Sequence, residues 1–215
     1  APFLMDSSRI GLEGGRAIAD ALEVNLVLSR LTMEGLAELS IPQLRGTEPV
    51  EALDLSRTGL GVASGIVIAK LLEGNTVLQE LNLSHNELCG VTQPGLPSWR
   101  YQEGATYDPT CITALAEVLR TGKSALTSLD VGHNLLEEEA VLSIVRAVRQ
   151  RDIMTSLGFA SCKIGPVGAR EIAEYAKGSV ALTSLDVRGN EFDAAAKQAL
   201  QDAVKGRNVV LSCEL

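Results

Sequence analysis

Two histidines, two arginines and a row of acidic or amide side chains are the residues of this chain whose types and spacing could do chemistry. His85 and His133 each precede an asparagine, in "SHNEL" and "GHNLL". Asp54, Asn82, Asp130 and Asp186 each stand in the middle of an apolar pair, in "LDL", "LNL", "LDV" and "LDV". Arg57 and Arg188 follow two of these acids closely. A zinc site would take four ligands, or three and a water. The two histidines supply two, and no cysteine or carboxylate has clear geometry to complete the set. They read as a pair on the surface, in equivalent positions of adjacent units whose strands lie about 4.8 Å apart, so that the rings nearly stack. The acids and arginines have two readings, and both stay open. One is an ordinary solvated strand face. The other is a mildly acidic groove of small residues that accepts a helix or loop of a partner protein.

Other chemical signals fail on inspection. "TGKSA" at 121–125 ends like a phosphate-binding loop, but Glu117 stands where that loop needs glycine. "GLEGG" at 11–15 matches the turn-to-helix segment "GPVGA" at 165–169 and not a dinucleotide fingerprint. No Ser–His–Asp set, paired cleft carboxylates or Cys–His pair emerges, so no enzyme, cofactor or metal is expected.

Composition narrows the partners. The chain has 215 residues, a formal net charge of −8 and a pI near 4.9. That balance argues against nucleic acid or an anionic membrane as the main partner, since both reward a basic face. No apolar run is long enough to span a bilayer. Aromatic residues make up only 3%, so the core must be built from small aliphatic layers. Four cysteines fit a reducing compartment and a cytoplasmic location better than a disulfide framework.

One stretch stands apart, "GVTQPGLPSWRYQEGATYDPT" at 90–110. It holds the only Trp, Trp99, and two of the three Tyr, Tyr101 and Tyr107. Such residues anchor interfaces, or they fold back on the flank of the molecule. Cys89 and Cys111 bracket the stretch close enough for a disulfide. The compartment favours thiols.

The elements that position these residues follow from an internal repeat. "SALTSLDVGHNLL" at 124–136 returns 56 residues later as "VALTSLDVRGNEF", with "DIMTSLGFASCKI" halfway between. Aligned on L-x-x-L-x-L-x-x-N-x-L, Leu53, Leu81, Leu129, Leu157, Leu185 and Cys213 become equivalent. The step is 28 residues, or 28 plus a 20-residue insertion between Leu81 and Leu129. Val210, Cys213 and Leu215 then open a last copy, and Phe3, Met5, Ser8 and Ile10 close a first one. Leu31 to Leu53 is only 22 residues and contains Pro42 and Pro49, so that unit should lack a full helix. Between strands, residues such as Ile144, Ala147 and Val148, or Ile172 and Tyr175, mark one apolar helix stripe. Gly74, Gly122, Gly178 and Gly206 sit where a left-handed helix cap belongs. Asn86, Asn134 and Asn190 should satisfy turn backbone groups and stack as a ladder, with Thr58 and Cys162 in two of those slots.

These motifs resemble the leucine-rich repeat family, most closely its 28-residue, ribonuclease-inhibitor-like subclass. The resemblance covers the chain except the insertion. It implies an α/β fold, a right-handed solenoid over 1–215 with a parallel sheet on the concave face and helices on the convex face. It also implies a non-catalytic protein–protein interaction scaffold, set in a cytoskeletal or ciliary assembly. The alternatives are a repeat region of a NOD-like receptor or a GTPase regulator resembling the Ran GTPase-activating protein. Both ends fall within a unit and show no polar cap, which predicts a longer array or ends covered by other chains. The expected contact residues are Asp54, Arg57, Asn82, His85, Asp130, His133, Asp186 and Arg188 on the concave columns, with Trp99, Tyr101 and Tyr107 from the insertion.

Overall fold

Successive short strands lie side by side because each unit has one row of apolar side chains and nothing of its own to bury it against. In the computed structural model, which describes residues 3–4, 10–33, 38–90, 107–121 and 123–214, strands and helices alternate. The order is β1 (Phe3–Leu4), α1 (Leu12–Val24), β2 (Arg30–Thr32), β3 (Glu38–Ser40), α2 (Ile41–Arg45), β4 (Ala52–Asp54), α3 (Val62–Leu72) and β5 (Glu80–Asn82). It continues with α4 (Thr110–Thr121), β6 (Ser128–Asp130), α5 (Glu138–Arg149), β7 (Ser156–Gly158), α6 (Pro166–Gly178), β8 (Ser184–Asp186), α7 (Ala194–Val204) and β9 (Val210–Ser212).

Strands β4 to β9 form one parallel six-stranded sheet in chain order. Leu53 pairs with Leu81, Leu81 with Leu129, Leu129 with Leu157 and Leu157 with Leu185. Leu81, Leu129, Leu157 and Leu185 are all at most 2% exposed. The evenly spaced leucines therefore stand as one buried spine, and the chain is an α/β leucine-rich-repeat solenoid. Behind them the helices pack in sequence order, with Ile144, Ala147 and Val148 of α5 and Ile172 and Tyr175 of α6 in the same core. Among the described residues no helix is long and apolar enough to cross a membrane.

The asparagine ladder is present, and it works between units as well as within them. Asn134 Nδ2 donates to the carbonyls of Val131 and Gly132 in its own turn and of Leu83 in the preceding one. Its Oδ1 accepts from Leu88 N. Asn190 does the same between the turns of Val187 and Phe159, and its Oδ1 receives Cys162 N and Ile164 N. Cys162 fills the intervening slot at 0% exposure. Met5, Ser8, Gly122 and Leu215 lie outside the described residues.

Three expectations need correction. The parallel sheet is not continuous across the short unit. β1 pairs with β2 in parallel, with Phe3 opposite Leu31, but β3 returns antiparallel on β2. Twenty-two residues are too few for a full strand, turn and helix. The chain instead doubles back, and Pro42 opens a five-residue α2 that Gly46 ends at φ 79°. The last strand also stands two residues earlier than the 28-residue step predicts. Leu211, not Cys213, pairs with Leu185, so the final step is 26. Val210 is 67% exposed, and Ser212 pairs with Asp186. The segment after α7 is shortened, and Gly206 turns it at φ 75°.

The third correction concerns helix ends. Of the four glycines expected to be left-handed, only Gly206 is so among the described ones. Side chains from the following unit do the capping instead. Arg207 donates to the carbonyls of Ala176, Lys177 and Ser179 at the end of α6. Arg45 serves Leu22 and Asn25 after α1, and Asn75 serves Gln43 and Leu44 of α2. At the end of α6, once these carbonyls are bonded, Gly178 needs no left-handed turn.

Candidate functional site

The concave face begins where each strand ends. Residues alternating with the spine leucines point away from the core, which places Ser128, Ser156 and Ser184 in one column and Asp54, Asn82, Asp130, Gly158 and Asp186 in the next. The acidic and amide members have a local task. Asp54 Oδ1 accepts Ser56 N at 2.9 Å, Asn82 Oδ1 accepts Ser84 N at 3.0 Å, Asp130 Oδ1 accepts Gly132 N at 2.8 Å and Asp186 Oδ1 accepts Arg188 N at 3.1 Å. Each side chain thus mimics a turn and ends its strand. The hydrogen bonds from Ser56 hold the Asp54 carboxyl below the usual range. Gly158 breaks the row because a Cβ there would collide with the Asp130 carboxylate.

Arg188 is not a loose cation. Its Nε reaches Asp186 Oδ1 at 2.9 Å and its Nη2 reaches Oδ2 at 2.6 Å. Burial pushes the Asp186 carboxyl up, but the bonds from Arg188 outweigh this and leave it lowered.

The third column was legible as a row but not as a backbone feature. Arg57, His85, His133 and Ser161 all have φ between 52° and 57°, and Gly189 continues them at 66°. Left-handed backbone costs a non-glycine residue about 1–2 kcal/mol. Here each turn is fixed by a bond to the next unit: Arg57 N to Ser84 O, His85 N to Gly132 O, His133 N to Ala160 O and Ser161 N to Arg188 O. The shared twist aims the side chains along one line. His85 and His133 stack with ring centroids 4.0 Å apart and planes 7° from parallel. Arg57 Nη2 lies 3.2 Å from His85 Nε2. Desolvation, then the charges of His133 and Arg57, push the His85 pKa below its ordinary value, and Asp130 opposes them. Among the described residues no group of three or more His, Cys, Asp or Glu could hold a metal ion.

Of the insertion residues, Trp99 and Tyr101 lie outside the described residues. Tyr107 packs partly buried against the core, and its hydroxyl accepts Glu137 N at 3.3 Å. It secures the return of the insertion to α4. Asp108 adds to that anchor by donating its N–H to Cys89 O and accepting Thr110 N. Cys89 and Cys111 remain thiols in the core. The Cys111 thiol donates to Leu88 O, and burial pushes the Cys89 thiol up to about 12.

These layers define a class, the leucine-rich-repeat solenoid, and the comparisons with known proteins agree with it. A leucine-rich repeat profile matches residues 74–88, the segment that leads into β5 and its asparagine turn. Among solved structures, the chain is similar to the leiomodin-1 actin-binding site 2, with a TM-score of 0.58, 21% identity, and coverage of 78% of this chain and 86% of that one. A leucine-rich repeat-containing protein, LegL7 from Legionella pneumophila, aligns at a TM-score of 0.41 and 16% identity over 99% of this chain and 72% of its own. No curated protein matches the chain.

Proposed function

We propose that this chain is a non-catalytic scaffold that docks a partner protein along its concave face, in the manner of the 28-residue, ribonuclease-inhibitor-like arrays and as part of a cytoskeletal assembly. The observation that carries the reading is the concave register itself. In the six-stranded parallel sheet the middle strands bury their leucines, and the other face presents columns of mostly polar side chains. Within each column neighbouring side chains are spaced by the strand separation of about 4.8 Å. A surface of that kind is rigid and shallow, and it suits a helix or loop laid across the strands. The cytoskeletal setting draws on the leiomodin likeness, whose printed description is an actin-binding site. Actin is accordingly the first partner to try. The insertion, with Trp99 and Tyr101, is proposed as a second contact.

The test uses bulk on the face. Arginine at Ser128, Ser156 and Ser184 together should weaken the partner, beginning with filamentous actin in co-sedimentation, by about tenfold or more, the scale of losing central contacts. Arginine at Glu174 on the opposite side of α6, an exposed position, should leave affinity unchanged. Loss with the α6 variant and retention with the triple variant would overturn the concave assignment. No actin binding by the unmodified chain would remove actin alone.

A further inference from the structure

One stretch of the concave face has a charge pattern of its own. Arg57 donates through Nη2 toward His85 Nε2. A guanidinium can only donate, so His85 Nε2 accepts and the imidazole is neutral in this arrangement. The His133 ring closes the other side of His85 at 4.0 Å. Among the described residues Arg57 has no carboxylate partner, whereas Arg188, the other arginine of this face, has one.

The groups around this row are Asp54 on β4, Glu80 and Asn82 on β5, and Asp130 on β6. Beside His85, the strand position is the neutral Asn82, so the acidic column is interrupted there. On the β4 side stands Asp54, with one oxygen bonded to Ser56 N. On the β6 side stands Asp130, with one oxygen bonded to Gly132 N. Beyond it lie Gly158 and Ser161, and then Asp186, which Arg188 neutralises.

We propose that the Arg57–His85–His133 row is the part of the docking face that receives a carboxylate-bearing segment of the partner protein, and that it takes up a proton as it does so. The proton goes to His85 Nε2, where it displaces the Arg57 contact. Arg57 and the new imidazolium then both turn to the carboxylate. With no anion present, protonation would set an imidazolium 3.2 Å from the Arg57 guanidinium, with Asp130 as the opposing charge. With a carboxylate bound, the protonated form gains a partner. The bound state therefore holds its proton to higher pH than the unbound state. Affinity rises as pH falls through the bound-state titration and levels off below the unbound one.

This inference rests on the docking reading above, so its test begins with a probe that does not depend on it. The probe is N-acetyl hexaglutamate, with hexalysine and inorganic phosphate as comparisons, followed by NMR of the histidine rings in the whole chain. Hexaglutamate should shift both rings, move the His85 titration upward, and bind about three- to tenfold more tightly near pH 5.5 than near pH 7.5. Arg57→Asn should weaken it, and His85→Asn with His133→Asn should flatten the pH dependence. Asparagine tolerates the left-handed backbone, and circular dichroism checks that each variant folds. Equal binding of hexalysine, or a pH dependence that survives loss of both histidines, would overturn the proposal. Tighter binding of inorganic phosphate than of hexaglutamate would overturn the carboxylate assignment. If an identified partner docks on the concave face with an affinity indifferent to all three substitutions, the row's role fails while the scaffold reading stands.

Discussion

Asn134→Ala should destabilise the array by about 3 kcal/mol, more than truncation of any exposed column residue. Asn134 is 2% exposed and bridges two turns. Its amide serves the carbonyls of Val131, Gly132 and Leu83, and its oxygen serves Leu88 N. Alanine leaves those backbone groups buried and unbonded, at about 1–3 kcal/mol for each one that finds no substitute. Relaxation of the turns recovers part of this. The Cys162 slot indicates what a partial substitute does, since its sulfur lies 3.4 Å from Ala160 O and 3.8 Å from Val131 O. Asn134→Cys should accordingly lose less than Asn134→Ala. Urea unfolding of the three proteins measures the order. A loss below about 1 kcal/mol for alanine, or cysteine ranking below it, would mean that the ladder does not join the units.

Leu157→Ala should cost about 3–4 kcal/mol, the range for a leucine whose site cannot collapse. Leu157 is 1% exposed and sits mid-sheet, paired with Leu129 on one side and Leu185 on the other. Phe159, at 0% exposure, lies two residues on and holds the layer open. The location of the damage is as informative as its size. In a solenoid each unit touches only its neighbours. Amide exchange should therefore quicken most in β6, β7 and β8 and least in β4. A uniform change across all six strands would show instead that the array behaves as one undivided core.

How much of this was legible in the sequence depends on the distance over which each signal acts. The leucine spine and the asparagine ladder repeat at a fixed step, so alignment of Leu81, Leu129, Leu157 and Leu185 was enough to place them. The histidine stack followed from the same alignment. The left-handed column did not, because Arg57, His85, His133 and Ser161 are not residues that announce that backbone. Only Gly189 in the same row hinted at it. The capping arginines were also silent. Arg207 and Arg45 act on carbonyls 20 or more residues away, and no local pattern encodes that reach. The 28-residue step points to Cys213, which is apolar and falls there by coincidence, while a shortened turn carries Leu211 into its place. The task of Asp54, Asn82, Asp130 and Asp186 in ending their strands was hidden by their other evident quality, which is charge on an open face.

The scaffold account turns on where a partner touches the chain. A photo-crosslinking amino acid at Ser128 or Ser184, and separately at Glu174, measures this in the presence of the partner. The account predicts crosslinks from the two strand positions and none from α6. Crosslinks from Glu174 with none from Ser128 or Ser184 would contradict it.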